Sequence, residues 1–454
     1  MLSKSNVQIT EGAIVPNIIR FVVPVIISNI LQISFNAADI AIVGQFCGGD
    51  SVAAIGTTTS FVHLMLNVFI GLATGTTIAV SQSLGRGDGP AARSFSHTAV
   101  AIALCSGVFV ALAGVLSARP VLTMMSTPKG AVLEGAVTYL RIYFIGAPVL
   151  LLYNFGAAIL KANGDTKRPF LYLSLGGIVN ILLNIFFVTV FDMSVDGVAI
   201  ATVASNIIAS VLVFRRLTRI DGSCRIIIKE IKIHKKSLLT LLRYGVPIGI
   251  QSSMFSIPNL IIQSSVNTFG EAAVAGRSAA QTVYNYLDTT VASFNETTLT
   301  FVAGNFGAGL YKRMKKIFGG LLLATTSISF VIGVSIYVFS RPILSIFVPG
   351  DDEAIKYGTI VLRYMALPIF MVAVMFLFSA FLRGIGKPFY PMAVTVMGVC
   401  VIRIIWMLFV YPSYPTFECI FFAYPLTWVI TSLLLFVYFC ICRRRFSVDR
   451  GACL

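Results

Sequence analysis

Charge is scarce in this chain. Of its 454 residues only 11% are Asp, Glu, Lys or Arg, whereas 57% are hydrophobic, and the mean hydropathy is +0.89. A soluble protein of this length needs far more polar surface, so a free globular domain is excluded. Histidine is nearly missing. His63, His97 and His234 are too few for the His clusters of a membrane-embedded enzyme. No phosphate loop, HExxH pair or nucleophile elbow occurs. The cysteines (Cys47, Cys105, Cys224, Cys400, Cys419, Cys440, Cys442 and Cys453) lack zinc-type spacing. Most lie in apolar runs, where Cys acts as a small hydrophobe. Cys440 and Cys442 face different directions on a helix, and the GACL terminus is not a prenylation box. The opening MLSKSNVQITEGAIVPN is polar, so no cleavable signal peptide is expected.

What is abundant is apolar sequence in recurring blocks. Turn and charge signals divide it into twelve expected spans: 15–46, 51–83, 95–117, 132–160, 169–190, 196–215, 237–268, 272–305, 316–339, 353–382, 388–410 and 419–442. Each is long enough to cross a bilayer, which takes roughly 20 residues, and several are longer. The fold class is therefore all-α, a polytopic membrane protein. The net charge of +16 does not point to nucleic acid, because the basic residues gather at segment ends. Connection 215–236 holds eight of them, loops 161–168 and 312–316 hold three and four, and Arg443, Arg444, Arg445 and Arg450 sit in the tail. The alternate loops, DMSVDG at 192–197 and PGDDEAIK at 349–356, are acidic or poor in Lys and Arg. Both termini and the central connection are expected in the cytoplasm.

The two halves resemble each other under a shift of 222 residues. Gly85 falls on Gly307, Arg119-Pro120 on Arg341-Pro342, Leu140-Arg141 on Leu362-Arg363, Gly164 on Gly386, Pro169 on Pro391 and Ala201 on Ala423. Pro24 and Pro247 differ by 223. Duplication implies two lobes, 1–214 and 237–442, joined by a basic linker at 215–236 and followed by a tail at 443–454. The linker is expected to be a solvated connection rather than a regulatory or lipid-binding segment. Each half starts on the same side and has six spans, so the repeat is parallel. Such halves enclose a central site and rock about it, the architecture of a transporter.

Span 1 carries a polar stripe of Asn29, Gln32, Asn36 and Asp39 at spacings that share one helix face. A charge at mid-bilayer costs about 2.5–3.5 kcal/mol on insertion scales, so Asp39 reads as functional. Asn180 and Asn184 of span 5 and Thr202 of span 6 are candidate partners. Span 8 repeats the pattern with Gln281, Asn285, Asp288 and Asn295, with Glu296 at the edge. The amides also fit interhelical hydrogen bonding. Glu296 also fits a place at the cytoplasmic mouth, and His63 fits packing. Tyr153, Asn154 and MFLF at 375–378 are candidate cavity wall, though lipid-facing or core packing explains them better. Arg403 could pair with a carboxylate, but the cheaper expectation is that it snorkels.

These residues resemble the multidrug and toxic compound extrusion (MATE) family. The resemblance runs through TEGAI at 10–14, then Phe21, Pro24, Gln32, Phe35, Asn36, Asp39, Val43, Gly44, Gly48 and AAIG at 53–56. It continues through Gly71, Gly75, Ser81, Gly85 and Asp88, KANGDTKRP at 161–169 and GNFGAG at 304–309. It covers essentially the whole chain and looks most like the prokaryotic branch of DNA-damage-inducible protein F. The resemblance implies a secondary antiporter in a prokaryotic inner membrane. It would act as a monomer without cofactor, expelling organic cations or other amphipathic compounds against H⁺ or Na⁺. In that branch the coupling site is an Asp on span 1, an Asn and an Asp on span 5, and a Thr on span 6. Asp39, Asn180 and Thr202 match, while Asn184 stands where the second Asp would be. The acidic residue that another branch uses on span 7 has no counterpart, since Gln251 and Gln263 are neutral.

On this reading a charged Asp39 attracts a cationic substrate, and proton uptake releases it, so the two bind with opposite linkage. Pro24 would let span 1 bend. If Na⁺ couples, oxygens of Asp39, Asn180 and Thr202 are the expected ligands. A flippase of lipid-linked precursors shares the topology. It would want a cationic cavity, whereas the deep charges here are mainly acidic apart from Arg403. A membrane-embedded enzyme is the remaining alternative.

Overall fold

The computed structural model describes residues 7–125 and 127–448, without the side chains of 443–448. The expected basic tail therefore lies outside the described side chains. Helices α1 (Ile14–Phe46), α2 (Gly49–Gly85), α3 (Gly89–Met124), α4 (Ala131–Ile145), α5 (Ala147–Ala162), α6 (Lys167–Val190) and α7 (Val195–Arg219) lead to a connection containing one short 3₁₀ turn. Then follow α8 (Lys235–Met254), α9 (Ser256–Asn267), α10 (Glu271–Gly307), α11 (Tyr311–Val338), α12 (Ser340–Phe347), α13 (Asp352–Met365) and α14 (Ile369–Gly384). The last two are α15 (Phe389–Ser413) and α16 (Phe417–Val448).

Eleven spans satisfy length and apolarity once the pairs α4/α5 and α13/α14 each count as one. The twelfth is α10. At 37 residues it is long enough, but its stripe of Gln, Asn and Asp makes it too polar to register by composition. The twelve membrane helices form two pseudo-symmetric halves of six.

Two expected spans are broken, which the sequence reading missed. Span 4 bends by 49° at Gly146, just before Pro148, and span 10 bends by 40° just before α14, whose N-cap is Pro368. Proline disfavours helix in the residue before it and donates no N–H, so both breaks have a local cause. Positions 146 and 368 are again 222 apart. The same shift relates the left-handed glycines Gly48 and Gly270, Gly87 and Gly309, and Gly164 and Gly386. It also relates the Asp88 N–H to Ser83 carbonyl bond to that of Leu310 with Asn305.

The chain packs as two compact units, Met1–Ser253 and Met254–Leu454. In the first, α8 lies against α2 through glycines. A Cβ on Gly71 would fall 2.3 Å from the Gly249 nitrogen, and one on Gly75 would fall 2.7 Å from that of Gly245. Small residues let membrane helices approach this closely and gain dispersion contacts. A core of Phe155, Ile159, Leu160, Val213 and Leu241 fills one region of this unit. A second forms around Phe61 and Phe144, whose rings meet edge to face at 5.5 Å.

The central connection is not a loose solvated segment. Ile220, Cys224 and Ile226 are buried in the first unit's core. His97 Nε2 accepts the Ile227 N–H at 3.0 Å, while its Nδ1 bonds the Arg93 carbonyl at 2.8 Å. The His234 N–H donates to Thr98, and Arg93 pairs with Glu230. The alternation of Ile with Lys in RIIIKEIKI hides this: Ile226 docks with Ile231 packed against the same core, whereas Ile228 and Ile233 stay exposed.

Candidate functional site

In the first unit, α1, α6 and α7 pack side by side because α6 presents glycines. Phe35 of α1 occupies the space where Gly177 lacks a side chain, since a Cβ there would lie 1.9 Å from the ring. Gly176, on the other flank, faces Ser205 and Ala209 of α7. Close packing brings the polar residues of three helices into one chain of bonds. Asn184 Nδ2 donates to Asp39 Oδ1 at 2.5 Å and approaches Asn180 Oδ1 at 3.5 Å. Asn180 Nδ2 donates to Thr202 Oγ1 at 3.4 Å, and the Thr202 hydroxyl donates to the Val198 carbonyl. Asn180 and Asn184 are buried, and Asp39 is half-buried. The Asn184 carbonyl oxygen is buried with no hydrogen-bond partner among the described residues. Tyr139 of α4 lies within electrostatic reach of Asp39 and stacks on Tyr143. Sequence reasoning missed Tyr139, which sits in a segment with no polar stripe.

The other expected residues fall differently. Gln32 and Asn36 are exposed on α1, on the stripe that leads to Asp39. Helix α1 runs unbroken through Pro24. Tyr153 is buried in the core, its hydroxyl donating to the Pro169 carbonyl, and Asn154 donates to the Leu150 carbonyl of its own helix. Neither joins the Asp39 cluster. In the second unit Gln281 donates to Asn285 at 2.9 Å. Asp288 and Glu296 lie farther down α10, both half-buried, and Asp288 neighbours Tyr284.

Arg403 does not snorkel. It is 3% exposed, its guanidinium stands 3.9 Å from the centroid of the Tyr424 ring, and it donates to Thr427 at 3.1 Å. Arg277, overlooked although it lies inside the expected span 272–305, is also buried. It donates to Gln263 and neighbours Tyr424. The deep charges of the second unit are therefore as much basic as acidic.

A twelve-helix duplicated fold with polar clusters inside its spans defines a membrane transporter. The family model MatE matches residues 24–186 and again 247–408, and the chain belongs to that family, the multidrug efflux transporters of the MATE type. The two matches start 223 and end 222 residues apart, the offset seen in the repeat. The chain is 26% identical over 432 residues to the probable multidrug resistance protein YoeA of Bacillus subtilis, covering 92% of each. Its fold matches a crystal structure of a MATE protein in complex with MaL6, with TM-score 0.90 and 21% identity over 99% of this chain and 100% of that one. It also matches a MOP superfamily transporter of Pyrococcus furiosus described by the reverse polarity of its binding pocket. There the TM-score is 0.89 and the identity 21%, over 98% of this chain and 99% of that one.

Proposed function

We propose that this MATE-family transporter is a secondary antiporter of a prokaryotic inner membrane, with both termini cytoplasmic. It exports small amphipathic compounds, organic cations among them, in exchange for inward H⁺ or Na⁺, and Asp39 is the coupling group. The supporting observation is the bonded set Asp39–Asn184–Asn180–Thr202, built from three helices of one unit. A carboxylate inside a membrane protein is costly unless it binds a cation, and here it stands among oxygens suited to one. Asp39, Asn180 and Thr202 supply oxygens, and the unpartnered Asn184 carbonyl adds a fourth. With Asn184 in place of a second acid, this cluster holds one titratable group. Coupling therefore turns on a single cation per cycle at this position, with Pro24 the place where α1 would bend.

Purified protein in vesicles, with H⁺ and Na⁺ gradients imposed separately, tests the reading. Dye export should follow one gradient in the wild type and vanish with Asp39→Asn. Wild-type export by the variant with either ion would overturn the assignment. A flippase of lipid-linked precursors is the second reading, favoured by buried Arg277 and Arg403; such a protein would not protect cells from cationic dyes.

A further inference from the structure

Two buried arginines converge on one tyrosine in the second unit. Helix α15 is π-helical over Val396–Val401 and again over Trp406–Val410, and Arg403 sits on the single α-turn between them, Ile402–Ile405. π-Turns insert a residue and re-aim side chains, and they recur at functional sites. Arg403 lies over the face of Tyr424, whose hydroxyl donates to Asn259, and Arg277 approaches Tyr424 from α10. Trp428 stacks on Tyr284 with planes 6° apart and meets Tyr424 edge-on. Among the described residues, no carboxylate lies within ion-pair distance of either guanidinium, and Arg403 Nε is buried without an acceptor.

A guanidinium carries five N–H donors that match an oxyanion in bidentate fashion. Both guanidinium groups are buried against Tyr424, and although Asp288 lies within electrostatic reach of Tyr284, no carboxylate among the described residues pairs with either, so no ion pair neutralises their charge. The duplication sharpens the point. Tyr424 stands 222 residues after Thr202, and Arg403 stands 223 after Asn180, with the extra residue absorbed within the π-turn Val396–Val401, which contains the repeat-matched Gly398. Gly398 faces Thr431 as Gly176 faces Ala209, both pairs shifted by 222. The place in the fold that surrounds a carboxylate in the first unit is therefore cationic and aromatic in the second.

We propose that Arg277, Arg403 and Tyr424 form a binding site for the oxyanion of the transported compound, a carboxylate or phosphate carried on an aromatic body. The arginines bind the oxyanion, and Tyr284, Tyr424 and Trp428 offer the apolar faces. The acidic cluster of the first unit then serves the coupling cation, and the substrate need not be a cation. The transport role of this site rests on the exporter reading; the binding does not.

The test is read on purified full-length protein without any gradient, so its failure is separate from failure of ion coupling at Asp39. The chain has two tryptophans, so Trp406→Phe leaves Trp428 as the reporter. Saturable quenching by 2-naphthoate is expected, with at least tenfold weaker binding of the neutral 2-naphthalenemethanol. Arg403→Gln and Arg277→Gln should each weaken naphthoate binding tenfold or more and leave the neutral compound unchanged. Arg403→Lys should retain part of the affinity. Each variant is checked for a single monodisperse species; if Arg403→Gln does not fold, Arg277→Gln carries the test. Displacement by phosphatidylglycerol nanodiscs but not by free phosphate would assign the same site to a lipid headgroup. Equal binding of charged and neutral naphthalenes, or unchanged affinity in the glutamine variants, would overturn the proposal.

Discussion

Asn184 donates from Nδ2 to Asp39 Oδ1 at 2.5 Å, joining α6 to α1 at the one acidic residue of the cluster. A hydrogen bond to a charged partner contributes about 1.5–3 kcal/mol. Asn184→Ala should therefore cut export about tenfold or more, while leaving the amount of folded protein in the membrane unchanged. Initial rates of dye efflux in vesicles, normalised to protein, measure this. Asn184→Asp should restore export in part and make it more sharply dependent on pH, since two neighbouring carboxylates cannot both ionise freely.

The meeting of α1 and α6 depends on Gly177. The Phe35 ring fills the volume of any side chain there. Gly177→Val should destabilise the protein by about 1–3 kcal/mol through overpacking and abolish export. Pairing Gly177→Ala with Phe35→Ala should recover part of the stability. Melting of the purified protein in detergent reads the first effect, and dye efflux reads the second.

His97 ties the central connection down by using both ring nitrogens. Replacing it with Ala leaves the Ile227 N–H and the Arg93 carbonyl without that partner, at a cost of about 1–3 kcal/mol for each group that stays buried. Limited proteolysis should then cut within 221–234 in His97→Ala and spare it in the wild type.

Cys224 lies in the same connection, outside the spans. Burial pushes its thiol up to about 12, against a smaller opposing hydrogen bond from Ser96. The folded form thus holds the proton more tightly than the unfolded chain. The stability this provides is fully present below about pH 8.5 and is lost as pH rises toward 12. A maleimide at pH 7 should leave Cys224 unlabelled in folded protein and label it quickly once denatured, as mass spectrometry of the peptide would show.

Much of this architecture was legible beforehand because a bilayer constrains sequence so strongly. Backbone groups inside hydrocarbon must bond within their own segment, so each long apolar block is a helix, and twelve blocks mean twelve spans. The 222-residue shift exposed the duplication, and the stripe on α1 singled out Asp39, because polar residues there are too costly to be incidental. The structure alone decided which polar residues meet. Asn184 reaches Asp39 and links it to Asn180 and Thr202, whereas Tyr153 turns into the core, and no periodicity separates those outcomes. It also decided the environment of Arg403. One arginine in an apolar run looks the same whether it reaches the interface or lies under a tyrosine contributed by another helix. That choice belongs to side-chain packing between segments distant in sequence, which local pattern does not encode.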